Sequence, residues 1–85
     1  MDKAEVEQII DEYLQEPDVI KNTYRTVLGY TIITKREPAK NDCFTVVFRG
    51  MKRVRMKTHH TKNERIALRW ALNVIQENMD DLELM

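Results

Sequence analysis

The chain is poor in the residues that many small proteins use for cross-linking, tight loops and chemistry. Its 85 residues include one cysteine, two prolines, two glycines and two histidines. A single thiol, Cys43, cannot close an internal disulfide, so the fold must rest on its core and not on cross-links. Gly29 and Gly50 are too few and too far apart for a loop that cradles phosphates. No catalytic carboxylate pair or triad is evident, so a protein without enzymatic activity is expected. His59 and His60 are neighbours, and adjacent side chains on an extended segment diverge. With no cysteine or acid at a supporting spacing, neither a metal site nor a cofactor is expected. There is no run of about 18 apolar residues and no signal-peptide pattern, which predicts a cytoplasmic protein with no membrane contact. No repeat or low-complexity tract occurs either.

What is present is enough for one domain over 1–85. The chain is 42% hydrophobic, and a domain of this size removes roughly 60 to 65% of its unfolded surface from water. The formal net charge is zero, but the charges are segregated. Residues 1–20 carry one base against seven acids, a net of −6, and residues 21–69 carry thirteen bases against three acids, a net of +10. Residues 70–85 add four acids and no base. With a Debye length near ~8 Å at physiological salt, a polyanion responds to the local field, and a distant acidic helix would screen a basic patch little.

The hydrophobic pattern predicts an α+β fold. Val6, Ile9, Ile10, Tyr13 and Leu14 recur at helical spacing, Asp2 and Glu5 are placed as a capping box, and Pro17 is a stop signal, which gives an acidic amphipathic helix over 2–16. β-branched and aromatic residues then predict strands over about 23–35, 43–49 and 52–58. The first of these is expected to bulge at Gly29. Alternation in the third would send Val54, Met56 and Thr58 to the core and Arg53, Arg55 and Lys57 to solvent. Thr61 and Glu64 look like a second capping box, opening a helix over about 62–79 whose apolar face holds Ile66, Ala67, Trp70, Ala71 and Val74. The expected architecture is a two-layer sandwich, a three-stranded antiparallel sheet covered on one face by both helices.

The functional signal is the segment "MKRVRMKTHH" and its surroundings. Arg49, Lys52, Arg53, Arg55, Lys57 and Lys62 fall within fourteen residues that contain no acid. Lys62, Arg65 and Arg69 carry the charge into the start of the last helix, where the macrodipole disfavours cations. A solubilising face usually mixes signs. One basic surface made of strand, turn and helix start is the footprint of a phosphate site, and RNA is the expected partner because no basic recognition helix is available for a DNA groove. Lys35 and Arg36, where the first strand gives way to the following loop, are expected to extend it. Tyr24, Tyr30, Phe44 and Phe48 are candidate stacking surfaces, although each also suits the core.

The α-β-β-β-α order resembles a double-stranded-RNA-binding domain. The bases Lys57, Lys62, Arg65 and Arg69 around the last helix start, and Lys35, Arg36 and Lys40 in and after the first strand, carry that resemblance. Here the helix start reads "TKNER" and the first helix is acidic. The block "YTIITKREPAKNDCFTVVFRGMKRVRMKTHHTKNERIALRW" resembles the TifA family of T-even-like phages, small proteins that counter the host endoribonuclease toxin ToxN together with RNA. That resemblance implies residence in the host cytoplasm, RNA bound by the basic residues, and contact of the acidic helix with a cationic, ToxN-like toxin. Two other readings remain open. One is a protein-interaction adaptor using Glu5, Asp11 or Glu12. The other is a small endoribonuclease using His59 or His60, since "RVRMKTHHTKNERIALRWAL" is similar to the end of HicA-type toxins. An exposed sheet edge and a small core are also compatible with a homodimer.

Overall fold

A computed structural model describes residues 2–15 and 22–83. In chain order they form α1 (Lys3–Gln15), β1 (Asn22–Val27), β2 (Tyr30–Glu37), a 3₁₀ turn (Pro38–Lys40), β3 (Asp42–Arg49), β4 (Lys52–Arg53) and α2 (Glu64–Glu83). The strands make one antiparallel meander in the order β1-β2-β3-β4. The fold is α+β, with four strands where three were expected. The stop signal at Pro17 lies outside the described residues.

The strand expected over 23–35 is two strands. Val27 pairs with Tyr30, and between them Leu28 and Gly29 take φ of 51° and 83°. Two positive φ values in a two-residue loop are the pattern of a type I′ turn, whose twist matches that of the flanking strands. The turn reverses the parity of the alternation, so Val27 and Tyr30 both enter the core, whereas an unbroken strand would have sent them to opposite faces. Leu28 is left exposed.

The strand expected over 52–58 ends at Arg53. It begins after a tight turn at Gly50 and Met51, where Gly50 has φ 64° and Arg49 pairs with Lys52. The Val54 N–H still donates to the Val47 carbonyl at 2.9 Å, and pairing resumes only where Cys43 and Thr61 exchange bonds of 2.8 and 2.9 Å. Six residues, 55–60, therefore bridge a stretch that β3 covers with three, 44–46, and must arch away from the sheet. Val54 reaches the core as expected. Met56 does not and is 76% exposed, because strand alternation no longer governs it.

α2 starts two residues later and ends four residues later than expected. Its cap is Asn63, whose Oδ1 accepts from the Arg65 N–H at 2.9 Å, while Thr61 Oγ1 accepts from the Asn63 N–H at 3.2 Å. Thr61 shapes the approach and is not itself the cap. At α1, Asp2 Oδ1 accepts from the Glu5 N–H at 2.8 Å, as expected.

Both helices cover the same side of the sheet. Ile10 and Tyr13 of α1 and Leu68, Ala71, Leu72, Val74 and Ile75 of α2 bury against Val27, Tyr30, Ile32 and Val47. Ile66, expected on the apolar face of α2, is 41% exposed. Three polar groups tie the layers: the Tyr13 hydroxyl with Thr34 Oγ1 at 2.6 Å, the Thr45 hydroxyl to the Ala67 carbonyl at 3.0 Å, and the Tyr30 hydroxyl to Asn78 Oδ1 at 2.7 Å. Each satisfies a group that burial would otherwise penalise.

Because strand side chains alternate, the opposite side of β2 and β3 carries Thr31, Ile33, Lys35, Phe44 and Phe48 around a buried Val46. Among the described residues no helix lies on this side. Phe44, Phe48 and Ile33 are half-buried there. Residues of this apolar character do not form the solubilised outer face that the sequence pattern suggested.

Candidate nucleic-acid interface

The basic residues divide into two groups. The first is engaged by the protein's own carboxylates. Arg65 donates to Glu7 at 2.9 Å and to Asp11 at 2.5 Å, and Arg69 donates to Glu7 at 2.5 Å. Arg36 pairs with Glu64 at 2.5 Å, Arg55 with Glu77 at 2.6 Å, Arg25 with Glu12 at 3.3 Å and Lys40 with Glu37 at 3.3 Å. The hydrogen bond to Asp11 holds the Arg65 guanidinium above its ordinary pKa, and the bond to Glu64 does the same for Arg36. The acidic helix is therefore not distant from the basic one, as the charge profile along the chain suggested. α1 lies against α2 and neutralises its N-terminal half.

The second group has no such engagement. Among the described residues no ion pair joins Lys35, Arg49, Lys52, Arg53, Lys57 or Lys62 to a carboxylate. Lys52, Arg53 and Lys57 belong to the segment that follows the free edge of β3 from the hairpin to Thr61, and Lys62 comes immediately after it. That edge is about 23 Å long at strand rise. Arg53 also shapes the segment, since Nε donates to the Arg55 carbonyl and Nη2 to the Met56 carbonyl, both at 3.0 Å. At the hairpin end, Arg49, Lys52, Arg53, Val54, Asn78 and Leu82 line a cleft of about 180 Å³. The Arg49 guanidinium stands 6.0 Å from the Tyr30 ring centre. Met51, at the tip, is fully exposed.

His60 fastens the arched segment to the sheet. Its Nδ1 lies 2.6 Å from Asp42 Oδ2, its Nε2 lies 3.0 Å from Thr58 Oγ1, and its ring rests 4.5 Å from the Phe44 ring centre. His59 is exposed. No group of three or more metal-ligating side chains gathers among the described residues. Cys43 is buried beside Thr61, and burial raises its thiol pKa.

The ten basic residues expected at the site are thus distributed unevenly. Arg49, Lys52, Arg53, Lys57 and Lys62 follow one edge and Lys35 stands on the open face, whereas Arg36, Arg55, Arg65 and Arg69 are turned to carboxylates. Of the aromatic candidates, Tyr30 is core, Phe44 and Phe48 face outward, and the side chain of Tyr24 lies outside the described residues. The Asp42–His60–Thr58 chain was not foreseen, because nothing in the sequence brings residue 42 beside residue 60. A weak signal for the outward phenylalanines was available in "CFTVVFR", which is apolar on both strand faces.

No family model, curated protein or solved structure matches the chain. Among the described residues no helix is long and apolar enough to cross a membrane.

Proposed function

We propose that this protein binds RNA through the cationic edge of its sheet and acts by binding rather than by chemistry. The observation that carries the reading is the row of cations along the β3 edge, Arg49, Lys52, Arg53, Lys57 and Lys62, for which no carboxylate partner occurs among the described residues, in a molecule that pairs its other arginines with acids. A cation not neutralised by the protein's own acids keeps its charge for a polyanion, whose condensed counterions it displaces on binding. Five phosphate contacts to a single strand give a slope near −3.5 in log K against log salt. Titrating a labelled RNA oligomer across salt concentrations measures it, and a flat response would sink the phosphate assignment.

The resemblance to phage inhibitors of a ribonuclease toxin supplies a biological setting: an RNA-dependent counter-defence factor acting on a host toxin. In that setting the toxin would meet the part of α1 turned away from α2, where Glu5 is exposed. Capture of the toxin that survives nuclease treatment would instead favour an adaptor that needs no RNA.

One observation favours a second reading. With Asp42 on Nδ1, His60 presents Nε2 to the Thr58 hydroxyl in the order orienting acid, base and hydroxyl, an arrangement suited to proton removal. A ribonuclease of this kind would cleave RNA in chelator and lose that activity in His60→Ala. Intact RNA after prolonged incubation with the wild type removes this reading.

A further inference from the structure

We infer that the open face of the sheet is a stacking platform for unpaired nucleobases, which makes single-stranded RNA the ligand class. The inference rests on the RNA reading above and adds strandedness to it. Phe44 and Phe48 lie on the same face of β3, four residues and about 13 Å apart, so each ring has room for a base of its own. Register places Lys35 directly across from Phe44, and Arg53 directly across from Phe48. A cation beside an aromatic ring is the pairing that holds a base and its phosphate together; Lys35 supplies it next to Phe44, and across from Phe48 the Arg53 guanidinium is held by the Arg55 and Met56 carbonyls and keeps its charge. At the first position the His60 ring already stacks on Phe44 with ring centres 4.5 Å apart and is held on both nitrogens by Asp42 and Thr58, so a base there would add to an existing pair of rings.

The carboxylates at that end of the face are occupied, Glu37 by Lys40 and Asp42 by His60. A second copy of the chain laid face to face would bring two sets of Lys35 and Arg53 together, with no free acid among the described residues of that face to pair with them. RNA supplies the missing negative charge. A duplex would not use the face, since its bases are stacked on one another and only phosphates and sugar edges are offered.

Three labelled probes test this by fluorescence anisotropy at one salt concentration: an unstructured RNA octamer, an abasic ribose-phosphate octamer and a 12-base-pair RNA duplex. The octamer is expected to bind about tenfold more tightly than the abasic chain for each ring engaged, and more tightly than the duplex. Phe44→Leu and Phe48→Leu keep the apolar volume, and each is expected to lose about tenfold on the octamer with no change on the abasic chain. Equal, salt-sensitive binding of octamer and abasic chain would overturn the platform while leaving the cationic edge intact. Failure of all three probes would overturn the RNA reading and the platform with it. A monomer–dimer equilibrium in sedimentation that Phe48→Leu abolishes would assign the face to a second copy and overturn the inference.

Discussion

Arg65 and Arg69 lie on α2 against Glu7 and Asp11 of α1, whereas Lys52, Lys57 and Lys62 follow the rim of β3 and make no ion pair among the described residues. Along the sequence the two groups belong to one basic block. In space one is neutralised and the other is not. The lesson concerns the field: a partner responds to charges left unpaired after folding, and those are set by which helix the chain lays beside which.

The comparison can be broken most forcefully at the free group. Replacing Lys52, Lys57 and Lys62 with Glu reverses three exposed charges that make no ion pair among the described residues. RNA affinity should fall by a factor of at least a hundred at moderate salt, with thermal unfolding nearly unchanged. Unfolding of the variant would show that these side chains do structural work. The paired group can be tested in the opposite sense. Glu7→Gln with Asp11→Asn releases Arg65 and Arg69 from neutralisation. If they can reach the same RNA, affinity rises and the salt slope steepens by up to about 1.4, two more phosphates. An unchanged slope would confine the interface to the sheet edge.

Two further expectations concern the scaffold on which the comparison rests. Leu28 sits in the left-handed region in an exposed turn position where asparagine is favoured, so Leu28→Asn should stabilise by about 1 kcal/mol. That raises Tm by roughly 4–8 °C in a domain of this size. A loss of stability would mean that Leu28 contributes packing. The smallest effect lies at Cys43. Because burial raises the thiol pKa in the folded state, the unfolded chain loses its proton first. The native state then holds more protons than the unfolded one above about pH 8.5, so this contribution is complete below that pH and is lost as pH rises through the folded value. Cys43→Ala should flatten the alkaline limb of a stability-against-pH curve. Persistence of the whole limb in that variant would assign it elsewhere.

How much of this was legible in advance varies with the range of the interaction. The two helices, their amphipathic faces and the Asp2 cap follow from spacing within a few residues. The most apolar strand was legible as well. The I′ turn at Leu28 was not, since leucine is a poor marker for a position with positive φ and the alternation on either side looks continuous. Neither was the end of β4, because "VRMKT" alternates well enough to continue a strand. What stops it is the six-residue span that must meet Thr61 at Cys43, a tertiary constraint with no local marker.

Sequence alone determined an α+β domain with an acidic first helix and a basic middle, because periodicity, capping and charge order are local properties. The pairing of α1 acids with α2 arginines, the row of unpaired cations on the β3 edge, and the two phenylalanines on the side opposite the helices were decided only by tertiary structure. The physical reason is that both faces of β3 are apolar, so its own pattern does not say which face the helices cover. That choice belongs to the packing of the whole chain, and with it the side on which a partner can bind.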